Sequence, residues 1–250
     1  MNRIVFIFLF SGSLFIWNLK SFSQFPKIPT DRIFDRTYLI VTDVGAGTCF
    51  SVDYEGQEFI VSVGHLFKTE LKDGSAVEVT LYLKKEVKKL TVKVYKPLKN
   101  TIDIAVLILP QKISKKESYD LGGDCMFGQD VYFLGYPMFS GKMLFTRDIN
   151  GQILPLFKKA SYAGVIVSKD TVSNILLDGH NNPGFSGSPV IFYDYNDNKY
   201  KVIAIISGYF IQENKNKGRC KRSSTNQENS GIISCFGIED AIAIMNRIKK

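Results

Sequence analysis

The sequence predicts an all-β protein, a barrel or a sandwich, that ends in a single α-helix. Beyond about residue 30, short segments rich in β-branched and aromatic residues follow one another, with turns such as Tyr54-Glu55-Gly56 between them. Many short strands at regular spacing are typical of barrels and sandwiches. Apolar residues with a helical period occur only near the C-terminus, so no long helix is expected to interrupt the strands.

The predicted strands fall into two series. Those of the first half are Tyr38–Val44, Gly47–Val52, Glu58–Val63, Val77–Leu83, Leu90–Val94 and Ile104–Leu109. Those of the second half are Val131–Leu134, Ala163–Val167, Ser173–Leu177, Val190–Tyr193 and Lys201–Ser207. The polar, glycine-containing stretch 110–130 predicts a connection between the halves. In the terminal helix one face carries Ile238, Ala241, Ile242, Met245 and Ile248.

We divide the chain into residues 1–23, 24–115 and 116–250. A short polar, positive start precedes the apolar run Ile4–Trp17, and Ser21 and Ser23 form a small-x-small site before Gln24. This order is typical of a signal peptide, and the run is short for a membrane span. We therefore expect cleavage after residue 23 and a secreted or periplasmic protein, with membrane attachment only if the segment is retained.

Composition excludes several classes of protein. The 250 residues are 45% hydrophobic and 22% charged, which is enough apolar material for a large core and argues against disorder. The formal net charge is +8, but the lysines are scattered, as in Lys84–Lys89 and Lys215–Arg222. No aromatic-interleaved basic stripe or nucleic-acid-binding motif accompanies them, so we expect no nucleic-acid partner. The oligomeric state is not encoded.

All four cysteines lie beyond the predicted signal peptide. An even number in an oxidising compartment predicts disulfides, and the spacings do not resemble a zinc site. Cys220 and Cys235 bracket a polar segment that a disulfide would hold as a loop, which leaves Cys49 with Cys125 by elimination. Three connectivities stay open.

Three residues are candidates for nucleophilic catalysis. Ser186 lies in Pro183–Val190, where flanking glycines let the backbone turn sharply and expose the hydroxyl, although such a cluster is also typical of a plain turn. A serine nucleophile needs a base, and the chain has only two histidines. His65 ends an apolar strand, whereas His180 is only six residues from the serine. Asp103 opens another apolar strand, where a carboxylate needs a partner.

The order His65, Asp103, Ser186 resembles that of the trypsin-like serine proteases. Their local sequences, VSVGHLF, TIDIAVL and PGFSGSPV, are similar to the family's motifs. GTCF and GYP resemble its bacterial high-temperature-requirement and glutamyl-endopeptidase-like branches. The resemblance covers about Tyr38 to the C-terminus.

This resemblance implies two antiparallel six-stranded β-barrels with a C-terminal helix. The histidine and the aspartate would lie in the first barrel and the serine in the second. The protein would be a serine endopeptidase with a protein or peptide substrate and without metal or cofactor. The resemblance makes Ser186 the nucleophile, His65 the base and Asp103 its orienting acid. The amides of Gly184 and Ser186 would form the oxyanion hole.

Two features are specific to this chain. The residue before the serine is Phe185, where the family usually has Asp or Asn, so activation by a buried new N-terminus is not expected. If Phe185 disturbs the oxyanion loop, the protein would instead be a catalytically silent binding or scaffolding protein. The residues that the resemblance assigns to substrate binding are His180, Asn181, Ser207, Gly208 and Tyr209.

Overall fold

The computed structural model describes residues 30–99, 101–139, 141–168, 171–216 and 224–250. The predicted signal peptide and Cys220 lie outside these ranges. None of the helices within the described ranges is both long enough and apolar enough to cross a membrane.

The first half forms a closed barrel of six strands in the order β1-β2-β3-β6-β5-β4. A short helix, α1 (Thr30–Asp35), precedes it, and a one-turn 3-10 helix (Gly64–Leu66) follows the third strand. The strands are β1 (Thr37–Val41), β2 (Ala46–Tyr54), β3 (Gln57–Ser62), β4 (Ser75–Tyr82), β5 (Val87–Tyr95) and β6 (Ala105–Ile108). The continuous apolar run of β3 is buried on both faces, whereas β5 largely alternates between more and less exposed residues, as expected where one face meets solvent.

The second half contains eleven described strands. They are β7 (Asp120–Leu121), β8 (Asp130–Gly135), β9 (Met138–Phe139), β10 (Lys142–Met143), β11 (Thr146–Arg147), β12 (Ile153–Leu154), β13 (Leu156–Ser168), β14 (Thr171–Asp178), β15 (Pro189–Asp194), β16 (Lys199–Asn216) and β17 (Ser224–Gly237). Seven of them form one sheet in the order β15-β8-β13-β14-β17-β16-β7. Because β15 also pairs with β16, each of the six strands from β15 to β16 in this order pairs with two others of the six. Strands β9–β12 form two small hairpins.

The predicted all-β class is confirmed, and each predicted strand overlaps an observed one. One prediction about a loop is wrong. The polar segment after Cys220 was expected to be a loop, but from Ser224 onward it is strand β17, because the backbone of β16 pairs with it. The connection 110–130 contains β7, which pairs in parallel with Lys201 and Val202 of β16.

The terminal helix α2 (Ile238–Ile248) is amphipathic, as predicted. Its buried residues are Ile238, Ala241, Ile244 and Met245. Ile242 and Ile248 are only partly buried against the same core. Arg247 donates to the carbonyl of Lys96 at 2.6 Å, which attaches the helix to the first barrel.

A buried arginine attaches the connection between the two halves to the first barrel. The Arg36 side chain is 2% exposed and contacts Asp53 at 2.6 Å and Glu58 at 3.8 Å. Its Nε donates to the carbonyl of Lys116 at 2.9 Å, and the Glu58 carboxylate accepts from the amide of Ile113 at 2.6 Å. The connection is therefore held by charged groups that are not accessible to solvent.

We expect Arg36→Met to lower the free energy of unfolding by about 3–5 kcal/mol, because it leaves the buried carboxylate of Glu58 without its cation. The control is Lys89→Met, whose partner Glu78 is 69% exposed; that surface pair should contribute less than about 1 kcal/mol. Urea unfolding of both variants measures the difference. Equal losses would show that Arg36 stabilises the fold no more than a surface cation does.

The expected pairing of Cys49 with Cys125 is wrong, because both are free thiols. Cys49 is buried in the core that includes the first barrel, whereas Cys125 packs against the core of the second half. Cys235 is likewise a buried free thiol, contrary to its expected pairing with Cys220, which lies outside the described residues.

Candidate active site

His65 and Asp103 are in direct contact at one end of the first barrel. His65 lies in the 3-10 helix that follows β3, and Asp103 comes just before β6, which pairs with β3. The Asp103 carboxylate is 2.6 Å from His65 Nδ1 and accepts the His65 backbone amide at 2.7 Å. Gly64 allows this approach, since a Cβ there would lie 3.1 Å from Asp103 Oδ1. The carboxylate is therefore placed to orient the imidazole ring.

Ser186 is connected to this pair through Ser207 of β16. The Ser186 hydroxyl donates to the Ser207 carbonyl at 3.0 Å, and the Ser207 hydroxyl donates to Asp103 at 2.8 Å. Within the described ranges, no hydrogen bond joins Ser186 Oγ directly to His65. The structure thus brings the three predicted residues into one hydrogen-bonded system, with the serine hydroxyl turned toward Ser207.

The loop that carries Ser186 is packed closely against the first barrel. Gly184 and Gly187 have φ values of +96° and +89°. A Cβ at Gly187 would lie 1.9 Å from the Thr48 carbonyl oxygen, and one at Gly184 would lie 2.2 Å from the Tyr136 carbonyl oxygen. The Thr48 amide donates to the Ser186 carbonyl at 2.8 Å, and the Thr48 hydroxyl donates to the Gly184 carbonyl at 2.8 Å. Both positions require glycine, because the backbone φ is positive and a Cβ would overlap a neighbouring carbonyl oxygen.

Hydrogen bonds to neighbouring carbonyls orient the two amides of the expected oxyanion hole. The Pro183 carbonyl accepts from an amide of β9 at 2.7 Å, and the Phe185 carbonyl accepts from the Ser188 amide at 2.9 Å. In a trans peptide the N–H points opposite to the C=O, so the Gly184 and Ser186 amides point away from these donors. Across the described part of the chain, neither amide donates to a protein acceptor. Both remain available to a bound oxygen.

Phe185 points into the core of the second half. Its side chain is fully buried and meets the Phe133 ring edge-on, with the centroids 5.3 Å apart. The ammonium group of Lys158, on β13, lies 5.4 Å from the centroid of the Phe185 ring. An aromatic residue before the serine is therefore accommodated by the apolar core.

The residues expected to bind substrate come from two segments that contact each other, 180–181 and 207–209, and we call them the wall. Asn181 is buried, and its side-chain amide donates to the Gly208 carbonyl at 3.4 Å. His180 is exposed, and Tyr209 is half-buried on β16. Ser207 differs from the other four, because both its hydroxyl and its carbonyl bond to catalytic candidates. Substrate binding by this wall stays a prediction.

The pKa of the Asp103 carboxyl is lowered. Burial acts to raise this pKa, but the hydrogen bond and charge of His65 and the hydroxyl of Ser207 outweigh it. Because the pKa is lower in the folded state, ionised Asp103 stabilises the fold above the pKa of the unfolded chain. That contribution is lost as the pH falls through the folded-state value. Asp103 is therefore an anion at neutral pH.

The described histidines, cysteines and acidic residues form no cluster of three or more that could hold a metal ion. Sequence reasoning missed the part played by two residues near the loop. Thr48 lies within the GTCF motif, but its contact with Gly184 depends on how the two halves pack. Lys158 is one of two adjacent strand lysines, and nothing in the local sequence distinguishes it from Lys159.

Comparison with solved structures shows the same fold. The protease Rv3671c of M. tuberculosis H37Rv, in an inactive form, is similar with a TM-score of 0.54 and 16% identity, over 88% of this chain and 92% of that one. The HtrA-type protease AlgW, solved with a tripeptide, is similar with a TM-score of 0.57 and 15% identity. That match covers 88% of this chain but only 62% of AlgW.

Among curated proteins no sequence matches. The trypsin-like peptidase domain, in contrast, matches residues 46–205, which is more than half of the chain and includes the three catalytic candidates. Because this match covers more than half of the chain, and the fold agrees with it, the chain belongs to the trypsin-like peptidases, a family of serine proteases.

Proposed function

We propose that this protein is a secreted serine endopeptidase in which Ser186, His65 and Asp103 form the catalytic triad. The observation that carries the proposal is that Ser186 bonds to the carbonyl of Ser207, while Asp103 bonds both to the hydroxyl of Ser207 and to His65. The substrate class is a protein or peptide, in keeping with the family and with the tripeptide bound to AlgW. The N-terminal segment 1–23 would direct export and be removed.

The chemistry follows from the roles of these groups. Ser186 Oγ gives up its bond to Ser207, turns toward the imidazole, and attacks the carbonyl carbon of the peptide while His65 Nε2 takes its proton. The carbonyl oxygen becomes an oxyanion that the amides of Gly184 and Ser186 bind. The C–N bond then breaks, His65 returns the proton to the departing amine, and an acyl-enzyme remains. Water, activated by His65, hydrolyses that ester and regenerates Ser186.

Asp103 acts by holding the imidazole. Its bond to Nδ1 keeps the proton on that nitrogen, which leaves Nε2 free to accept from the serine, and its charge stabilises the imidazolium that forms. We propose that the wall of His180, Asn181, Gly208 and Tyr209 receives the substrate side chain. His180 is the most exposed side chain of the four, and we expect His180→Ala to change substrate preference more than turnover.

A fluorophosphonate probe tests the proposal without knowledge of the natural substrate. The probe phosphonylates an activated serine, so the wild type should be labelled and Ser186→Ala should not. Ser188→Ala is the matched control, because that buried hydroxyl has no hydrogen-bond partner in the described protein and its removal should leave labelling intact. Absence of labelling in a folded wild type would overturn the peptidase proposal and favour the silent binding protein.

A further inference from the structure

Lys158 lies beside the loop that carries Ser186, although it belongs to a neighbouring strand. On β13 it is directly opposite Phe133 of β8. From there its ammonium group reaches the backbone carbonyl of His180 and the side-chain oxygen of Asn182, the latter at 3.3 Å. A single cation thus contacts two positions of the segment that leads to the serine.

Two aromatic rings complete the surroundings of this cation. The Lys158 ammonium lies 5.4 Å from the centroid of Phe185 and 5.9 Å from that of Phe133. Both distances are within the range of cation–π attraction. No described carboxylate lies within ion-pair distance of Lys158, whereas the adjacent Lys159 pairs with Asp130 at 2.8 Å. The favourable contacts of the Lys158 charge are therefore made with the loop and with the core beneath it.

These contacts continue to the oxyanion amides. The Asn182 carbonyl accepts from the Phe185 amide at 3.3 Å, which closes a turn around Pro183 and Gly184. Lys158 contacts both ends of this turn: the side chain of Asn182, its first residue, and the ring of Phe185, its last residue. The positions of the two oxyanion amides depend on the same turn. The Gly184 amide belongs to a peptide unit within the turn, and the Ser186 amide belongs to the peptide unit directly after it.

We propose that Lys158 is a positioning residue that holds the oxyanion loop in its catalytic conformation from the neighbouring strand. The inference rests on the proposed function, since positioning matters to catalysis only if the amides of Gly184 and Ser186 bind the oxyanion. Partial burial lowers the pKa of the Lys158 ammonium, because it removes some of the water that would otherwise stabilise the charge. Lys158 contacts no reacting atom in this scheme.

The test compares Lys158→Met, which keeps an unbranched apolar stem but not the charge, with Lys158→Arg, which keeps the charge. Loss of an oxyanion donor typically lowers kcat by about 10²–10³-fold. Because a displaced loop weakens the donors rather than removing them, we expect Lys158→Met to slow fluorophosphonate labelling of Ser186 by about 10–100-fold. Peptide hydrolysis should show the loss in kcat and leave KM nearly unchanged. Lys158→Arg should recover most of the rate, and Lys159→Met should behave as the wild type.

Hydrogen exchange of segment 182–188 provides a readout that does not need activity. The Phe185 amide should exchange at least about tenfold faster in Lys158→Met, since the turn that protects it is released, and Lys158→Arg should restore the protection. Labelling of Lys158→Met at the wild-type rate would overturn the inference. So would labelling rates that fall equally in the Met and Arg variants and in proportion to their lowered unfolding temperatures, because the loss would then reflect stability alone. A wild type that is not labelled would overturn the proposed function instead, and the exchange result would still decide whether Lys158 holds the loop.

Discussion

Asp103→Asn is expected to lower kcat by about 10³–10⁴-fold at neutral pH, because in proteases with this triad the amide enforces the wrong imidazole tautomer. Both carboxylate oxygens of Asp103 act only as acceptors: one takes the His65 backbone amide, and the other takes His65 Nδ1 and the Ser207 hydroxyl. An asparagine must place an NH₂ group at one of these positions.

Either orientation of the asparagine is unfavourable. An NH₂ group at Nδ1 donates to the ring and moves its proton to Nε2, so that His65 can no longer accept from Ser186. An NH₂ group at the other position opposes the His65 backbone N–H, so that two donors face each other. Labelling rates and peptide hydrolysis measure the loss, and Asp130→Asn is the control, since that exposed carboxylate pairs with the surface cation Lys159. A loss smaller than tenfold would contradict the role given to Asp103.

Gly187→Ala is expected to lower the free energy of unfolding by about 2–5 kcal/mol, which combines the cost of a left-handed conformation with that of overpacking. The added Cβ would lie 1.9 Å from the Thr48 carbonyl oxygen and 2.6 Å from Ser62 Oγ. These groups have little freedom to move, because the Ser62 hydroxyl donates to that carbonyl and the Gly187 amide donates to Ile206 at 2.7 Å.

Gly56→Ala separates the two contributions. Gly56 has a similar φ of +81°, but a Cβ added there would have no atom within 4 Å, so only the conformational cost of about 1–2 kcal/mol applies. Denaturant unfolding of the two variants gives the difference directly. We also expect any folded fraction of Gly187→Ala to lose labelling of Ser186. Equal destabilisation by the two substitutions would show that the contact with the first barrel is unimportant.

Phe185 illustrates how a departure from a family pattern depends on its surroundings. By sequence it replaces a polar residue next to the nucleophile, and a disturbed loop was one expectation. In the structure the ring is part of an apolar core with Phe133, and Lys158 lies against both rings. Local sequence does not reveal this arrangement, because the partners come from strands β8 and β13 that are distant along the chain.

The sequence by itself determined the all-β class and the positions of most strands, and it singled out His65, Asp103 and Ser186 as catalytic candidates. These follow from alternating or continuous apolar runs and from local motifs, which need only neighbouring residues. The tertiary structure decided the contacts between distant segments. It placed Ser207 between the serine and the aspartate, Thr48 against the loop, and strand β17 where a disulfide-held loop was expected. Such contacts depend on how two barrel halves pack and pair, and no local pattern encodes that geometry.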